Sequence, residues 1–147
     1  MEILIREAEE KDLPSMIVLY SQPDMDNGDA ISLEKAKEIL KKTKHYPYYK
    51  VFVALMDNEV VGTFELLIMD NFAHRGAPSG IIEDVVVSEK YQGRGIGKEM
   101  MRFAVERCRD MGCYKVTLSS NLKRNKAHEF YERIGFKKHG YSFLVEI

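Results

Sequence analysis

The chain has 147 residues, of which 45% are hydrophobic and 31% are charged, and its formal net charge is −1. These values are typical of one globular domain with a buried core, and they exclude the strongly basic surface of most nucleic-acid-binding proteins. No apolar run approaches the ~20 residues of a membrane-spanning helix. Acidic residues also stand where a signal peptide would carry positive charge. We therefore expect a single cytoplasmic domain over residues 1–147, with no nucleic-acid or membrane partner.

The two cysteines, Cys108 and Cys113, belong to no CxxC motif and to no Cys/His cluster. We therefore expect two free thiols and no metal site.

The N-terminal third predicts a strand followed by two helices. Residues 2–6 alternate in apolar character, as a strand does. Asp12 is expected to cap the first helix, with Pro14 in its first turn, and Ser32 to cap the second helix. Residues 21–30 are rich in turn formers and predict a loop.

A β-hairpin is predicted next, from strands at 51–56 and 60–69. Gly62, inside the second strand, indicates a bulge or a close backbone approach. A cluster of tyrosines precedes the hairpin, and the sequence leaves open whether it packs or contacts substrate; its members are Tyr46, Tyr48 and Tyr49.

The stretch from Ile82 to Lys98 predicts a strand, a glycine-rich turn and the start of a helix. The β-branched run 85–87 is followed by Gly93, Gly95 and Gly97, and then by apolar residues at helical spacing. Glycines admit a ligand close to the backbone, and the free N–H groups of a first helical turn favour phosphate.

Two common phosphate loops are excluded for this turn. A dinucleotide-binding GxGxxG motif starting at Gly93 would need glycine at position 98, which is lysine. A Walker A loop would need serine or threonine at position 99, which is glutamate.

The remaining chain predicts a strand at 114–118, a helix at 123–134, and two terminal strand segments near 136–138 and 141–147. The resulting order of strands and helices is that of a mixed α/β domain.

Two motifs together resemble the GCN5-related N-acetyltransferase (GNAT) superfamily. The first is Q-x-x-G-x-G, formed by Gln92, Gly95 and Gly97 directly after a VVV strand. The second is A-x-x-F-Y-x-x-x-G-F, from Ala127 to Phe136. The resemblance implies an α/β fold whose mixed central sheet has a splayed central strand and is flanked by helices. It also implies an enzyme that uses acetyl-CoA as cosubstrate.

The resemblance further implies roles for individual residues. Tyr131 would be the general acid, and Glu83 would act as base or only orient the substrate. Asp84 would bind substrate or serve structure, on the strand face opposite Glu83. The acetyl-CoA-binding residues would be Val85, Val86, Val87, Gln92, Gly93, Arg94, Gly95, Ile96, Gly97 and Lys98.

Residues 82–98 and 112–118 are also similar to the glucosamine-6-phosphate N-acetyltransferases. The C-terminal stretch YSFLVEI lacks the basic residue with which those enzymes contact the sugar phosphate. We therefore expect a small primary amine as acceptor, with glucosamine 6-phosphate less favoured and with Arg75, Lys123 and Arg124 as candidates for binding its phosphate. We also expect a homodimer that pairs through the terminal strand, since small acetyltransferases of this kind commonly do so.

Several alternatives stay open at this level. His74 and His128 are further candidates for the base. The chain is also compatible with a protein or peptide N-acetyltransferase, and with an acyl-CoA-binding module that performs no catalysis.

Overall fold

The structure is a computed structural model that describes residues 2–147 and divides the chain into two compact units, Met1–Thr117 and Leu118–Ile147. Within the described residues the α-helices are α1 (Leu13–Tyr20), α2 (Leu33–Thr43), α3 (Ile96–Asp110) and α4 (Asn125–Arg133). The strands are β1 (Ile3–Glu7), β2 (Tyr49–Met56), β3 (Glu59–Met69), β4 (Ser79–Val87) and β5 (Lys115–Leu118). The predicted α/β fold is confirmed. That the chain is one domain stays a prediction.

The strands form one sheet in the order β1-β2-β3-β4-β5. Strands β1 to β4 are antiparallel neighbours. Just before β5, the amide of Tyr114 donates to the carbonyl of Pro78, just before β4, at 3.0 Å. Strands β4 and β5 therefore start side by side and run in the same direction, which makes the sheet mixed, as predicted.

Helices cover both faces of the sheet in the first unit, because β2 is apolar on both sides. Val51 and Val53 pack with α1 and α2, in a cluster that includes Leu13. The intervening Phe52 turns to the other face, where its ring lies 5.0 Å from that of Phe103 in α3. This two-sided burial explains why β2 reads as a continuous apolar run rather than an alternating one.

Two helix boundaries are marked by their end groups, and the predicted cap of α2 is confirmed. Ser32 precedes α2, and its side chain accepts a hydrogen bond from the amide of Lys35 at 3.2 Å. Gly112 follows α3 with φ of 76°, a left-handed conformation typical of the residue after a helix end.

The predicted cap of α1 by Asp12 is wrong. Its carboxylate instead accepts both terminal nitrogens of Arg6, at 2.7 and 2.9 Å, and the amide of Glu9 at 2.8 Å. Burial alone would raise the pKa of Asp12, but these partners outweigh it and hold that pKa below its usual value. The nearby guanidinium, which the fold brings to Asp12 from β1, is the stronger partner.

The two predicted C-terminal strand segments are also wrong. No strand is assigned among residues 134–147, which the structure describes throughout. Their apolar side chains are exposed, with 93% of Phe143 and 83% of Leu144 accessible. An alternating pattern becomes a strand only where another strand accepts its hydrogen bonds.

Within residues 2–147, none of the helices has the length and apolar character that a membrane span requires.

Candidate active site

The centre of β4 carries a β-bulge. Glu83 lies opposite Glu65 of β3, whereas Val86 lies opposite Thr63, so β4 has one more residue than β3 in between. Asp84 occupies this bulge with φ of 50°. The bulge interrupts the alternation of side chains, so the expectation that Asp84 turns away from Glu83 is wrong. Burial raises the pKa values of both Glu83 and Glu65, and the charge of Asp84 raises them further.

Glu65 is the site residue that sequence reasoning missed. It is half-buried, and it accepts a hydrogen bond of 2.6 Å from the hydroxyl of Tyr49. Burial raises the pKa of Glu65, and the charges of Asp84 and Glu83 raise it further, although the bond from Tyr49 opposes them. The local signal was a charged residue between the apolar Phe64 and Leu66 inside a strand.

The charge of Glu65 acts on two tyrosines from different elements. Burial, with the bond to Glu65 and its charge, raises the pKa of Tyr49. Burial also raises the pKa of Tyr20, the last residue of α1, with Glu65 again contributing. Both phenols are therefore protonated at neutral pH and can donate hydrogen bonds. Of the three tyrosines that precede the hairpin, Tyr49 is the one that contacts a site carboxylate.

The predicted glycine turn leads from β4 into α3. Gly93 and Gly95 adopt φ of 78° and 82°, and Gly95 directly precedes Ile96, the first helical residue. A Cβ atom at either glycine would meet nothing within 4 Å. The turn therefore needs glycine for its backbone conformation and leaves space beside the first amides of α3, which have no intrahelical acceptor.

The main chain of Val87 faces away from β3. The amide of Ser88 donates to the carbonyl of Val61 at 2.8 Å, so these residues form a hydrogen-bonded pair. In an antiparallel ladder such pairs alternate with pairs whose main-chain groups point outward. The next pair is Gly62 with Val87. Val87 is therefore placed to bind a ligand along the outer side of β4, whereas Val86 directs its main chain towards β3.

Gln22 ties the segment after α1 to the end of β4. Its Nε2 donates to the carbonyl of Val87 at 3.1 Å, and its Oε1 accepts from the amide of Glu89 at 2.9 Å. Gln92 donates to the same carbonyl at 3.4 Å. A contact between residues 65 positions apart leaves no trace in local sequence, so sequence reasoning missed Gln22 as well.

Tyr131 lies on α4, in the second unit, with its ring 5.7 Å from that of Phe136. Burial raises the pKa of Tyr131, and the charge of Arg124 opposes this only in part. Its hydroxyl is therefore protonated at neutral pH, as a proton donor must be.

The two histidines considered as bases are engaged elsewhere. The ring of His74 stacks on Tyr114 at 4.1 Å between centroids, and Nε2 of His128 donates to the carbonyl of Asn121 at 2.8 Å. Arg75 is exposed in the turn before β4. The strand from Ser79 to Glu83 separates that turn from the carboxylates by about 14 Å, at ~3.4 Å per residue.

Both cysteines are free, and burial raises the pKa of Cys108 to about 12. Among residues 2–147, no group of three or more His, Cys, Asp or Glu side chains is arranged to hold a metal ion.

Comparison with known proteins gives a consistent result. The family model described as "Acetyltransferase (GNAT) family" matches residues 5–136. The chain is 41% identical over 90 residues to the glucosamine 6-phosphate N-acetyltransferase of Trypanosoma brucei brucei, a match that covers 61% of this chain and 59% of that protein. It is 34% identical over 108 residues to the aminoalkylphosphonate N-acetyltransferase of Salmonella typhimurium, covering 74% and 66%. Each match therefore spans less than two thirds of the relative's own length.

Among solved structures, the fold is similar to that of a Trypanosoma brucei acetyltransferase. The TM-score is 0.85 at 30% sequence identity, and the superposition covers 99% of this chain and 100% of that one.

Proposed function

Because the chain belongs to the acetyltransferase (GNAT) family, we propose that it transfers an acetyl group from acetyl-CoA to the primary amine of a small molecule. The observation that carries this proposal is the continuous path formed by the outward-facing main chain of Val87, the left-handed glycines and the first turn of α3. Residues on this path fit a phosphate-bearing thioester, and site carboxylates that suit an amine lie on the same strand.

The cofactor contacts follow from that path. The main chains of Val85 and Val87 would bind the pantetheine arm as a neighbouring strand would. Amides from Gln92 to Lys98 would bind the pyrophosphate, which the positive end of the α3 dipole stabilises by up to ~2 kcal/mol. The carbonyl of Val87 already accepts two side-chain amides, so its N–H is the group free for this role.

The chemistry requires the amine to be made neutral before it attacks. The bound ammonium first loses one proton to Glu83, directly or through water, and the neutral nitrogen then attacks the thioester carbonyl carbon and forms the new C–N bond. As the C–S bond breaks, Tyr131 donates its hydroxyl proton to the departing thiolate, and the second proton lost by the nitrogen restores the phenol of Tyr131 through water. A carboxyl with a raised pKa and a protonated phenol suit these respective roles.

The acceptor site favours a cation. Glu83 and Asp84 would bind a protonated amine, and no basic side chain among residues 2–147 forms a salt bridge with either of them. A phosphorylated acceptor would need basic side chains near its dianion. Of the candidates for that role, Arg75 lies beyond the start of β4, and Lys123 and Arg124 belong to the second unit. We therefore favour an unphosphorylated small amine over glucosamine 6-phosphate.

A homodimer would explain the exposed C-terminal segment. Tyr141, Phe143 and Leu144 expose 89%, 93% and 83% of their surfaces. So many exposed apolar side chains within a few positions are unusual for a protein that works alone. Pairing of this segment with a second copy would supply the strand partner that it lacks within the chain.

The test is a thiol-release assay with acetyl-CoA and a panel of amino sugars, amino acids, polyamines, aminoglycosides and peptides. We expect saturable release of CoA that depends on a small primary amine. Binding of acetyl-CoA without turnover of any amine would favour a module without catalysis. A preference for peptide N-termini would replace the small-molecule acceptor with a protein.

A further inference from the structure

Glu65 has no role in the chemistry described above, yet its placement is specific. Its side chain shares a sheet face with that of Glu83, directly opposite, where Cβ atoms of paired residues lie about 5 Å apart. The hydroxyl of Tyr49 fixes its carboxylate through a short bond of 2.6 Å. Glu83 and Asp84 are exposed, whereas Glu65 is half-buried. It is therefore the site carboxylate whose position is most constrained.

The ionisable groups around Glu65 are acidic, and no basic side chain pairs with Glu65 among residues 2–147. The titratable groups that face it from α1, β2 and β4 are Tyr20, Tyr49, Glu83 and Asp84, with Asp26 acting on Tyr20. Among residues 2–147, Glu65 forms no salt bridge with a basic side chain. The ionised form of Glu65 is disfavoured by burial and by Asp84 and Glu83, which raise its pKa. A bound cation would offset this cost.

We propose that Glu65, held in place by Tyr49, binds the ammonium form of the acceptor amine beside Glu83. This inference rests on the proposed function, because it assumes that the acceptor enters at the bulge of β4. The two carboxylates then have different roles. Glu65 holds the charged amine in position, and the exposed Glu83 removes its proton. Glu65 is thereby a determinant of specificity for amines over the hydroxyl compounds of the same shape.

The experiment varies the charge of the ligand and the charge at position 65 independently. Glu65→Gln removes the charge and keeps an oxygen that can accept from Tyr49. Dissociation constants are measured by calorimetry with saturating CoA, at about pH 6.5, below the range where α-amino groups lose their proton. The ligands are two matched pairs, glucosamine with glucose, and their 6-phosphates. The control variant is Glu59→Gln, because Glu59 lies on the same strand and also accepts a phenol at 2.6 Å, from Tyr91, but at an exposed position.

We expect Glu65→Gln to weaken binding of at least one amine by roughly 10- to 100-fold, the usual value of a hydrogen bond to a charged group. Binding of the matched hydroxyl compound should stay unchanged, and Glu59→Gln should change neither. Tyr49→Phe should have a smaller effect in the same direction. If Glu65→Gln weakens binding of the amine and of the matched hydroxyl compound equally, Glu65 is a structural residue and the proposal is overturned. The absence of any preference for the amine in the parent protein would overturn it as well. Failure to bind or use acetyl-CoA would instead count against the proposed function, since the comparison within each pair requires no turnover.

Discussion

Substituting Gly62 with alanine tests how closely β3 and α3 pack beneath the candidate cofactor site. A Cβ atom at this position would lie 2.7 Å from Sδ of Met100, 3.2 Å from the carbonyl oxygen of Val86 and 3.4 Å from Cγ2 of Ile96. Met100 is fully buried, so its thioether cannot move into solvent. The carbonyl of Val86 belongs to β4 and cannot move without disturbing the bulge.

The net effect can be estimated from two opposing contributions. Overpacking of a well-packed core costs about 1–3 kcal/mol. Replacing glycine with alanine at a compatible backbone conformation gains about 0.4–1 kcal/mol through the unfolded chain. The difference is about 0–2.6 kcal/mol, and a contact of 2.7 Å with a buried atom favours the larger values. We therefore expect Gly62→Ala to lower the free energy of unfolding by about 1–2.6 kcal/mol, or the melting temperature by about 2–10 °C. Because Ile96 begins α3, affinity for acetyl-CoA should fall as well.

Urea and thermal unfolding measure the stability change, and equilibrium binding of acetyl-CoA measures the second effect. Gly140→Ala is the control, because a Cβ atom there would meet nothing within 4 Å. It should leave stability unchanged or slightly raised. If Gly62→Ala proves as stable as Gly140→Ala, the close approach of β3 to α3 is not tight enough to matter, and the reasoning is refuted.

Four further predictions follow from the site and its supports. Gly95→Glu should abolish acetyl-CoA binding in an equilibrium assay, whereas Gly95→Asn, which tolerates the left-handed backbone without adding charge, should retain most of it; equal binding by both would remove the phosphate site from this turn. Tyr131→Phe should lower kcat by ~10²–10⁴-fold with unchanged acetyl-CoA affinity, and an unchanged rate of the chemical step would leave Tyr131 as a packing residue. Asp12→Asn should destabilise the fold by about 1–3 kcal/mol at neutral pH, because it weakens the hydrogen bonds of a charged pair whose Arg6 is only part-buried. The folded-state pKa of Asp12 is lowered, so the stability that its carboxylate provides is lost as pH falls below about 4. The free energies of unfolding of the parent and the variant should therefore become equal there, and a difference between them that does not depend on pH would contradict this. Light scattering should report a dimer that Phe143→Asp converts to a monomer, and a monomeric parent at micromolar concentration would refute pairing through the C-terminal segment.

The elements with strong local patterns could be predicted from sequence. The glycine turn, the start of α2 and the end of α3 each depend on backbone conformations that particular residues favour over a few positions. Gly62 could also be identified, because glycine within a strand is rarely neutral. These features require no knowledge of which strands pair.

The features missed all depend on contacts between distant positions. Glu65 lies beside Tyr49 and Glu83 only once three strands are in register, and Gln22 contacts Val87, which lies 65 positions further along the chain. The position of Asp84 depends on a bulge, which shifts side chains to new neighbours without an obvious signature. The C-terminal segment had the right pattern for a strand, but a pattern does not supply the partner strand that it needs.

The central claim is that an amine attacks acetyl-CoA directly at this site. It is tested most directly by supplying acetyl-CoA with an isotopically labelled acetyl group and following the label by mass spectrometry, with an amine that supports thiol release. We expect one labelled N-acetyl product for each thiol released by the parent protein, no label on the protein itself, and no product with Gly95→Glu. Thiol release without a labelled amine, or an acetylated protein that forms before the amine is added and then transfers its label to it, would contradict the account.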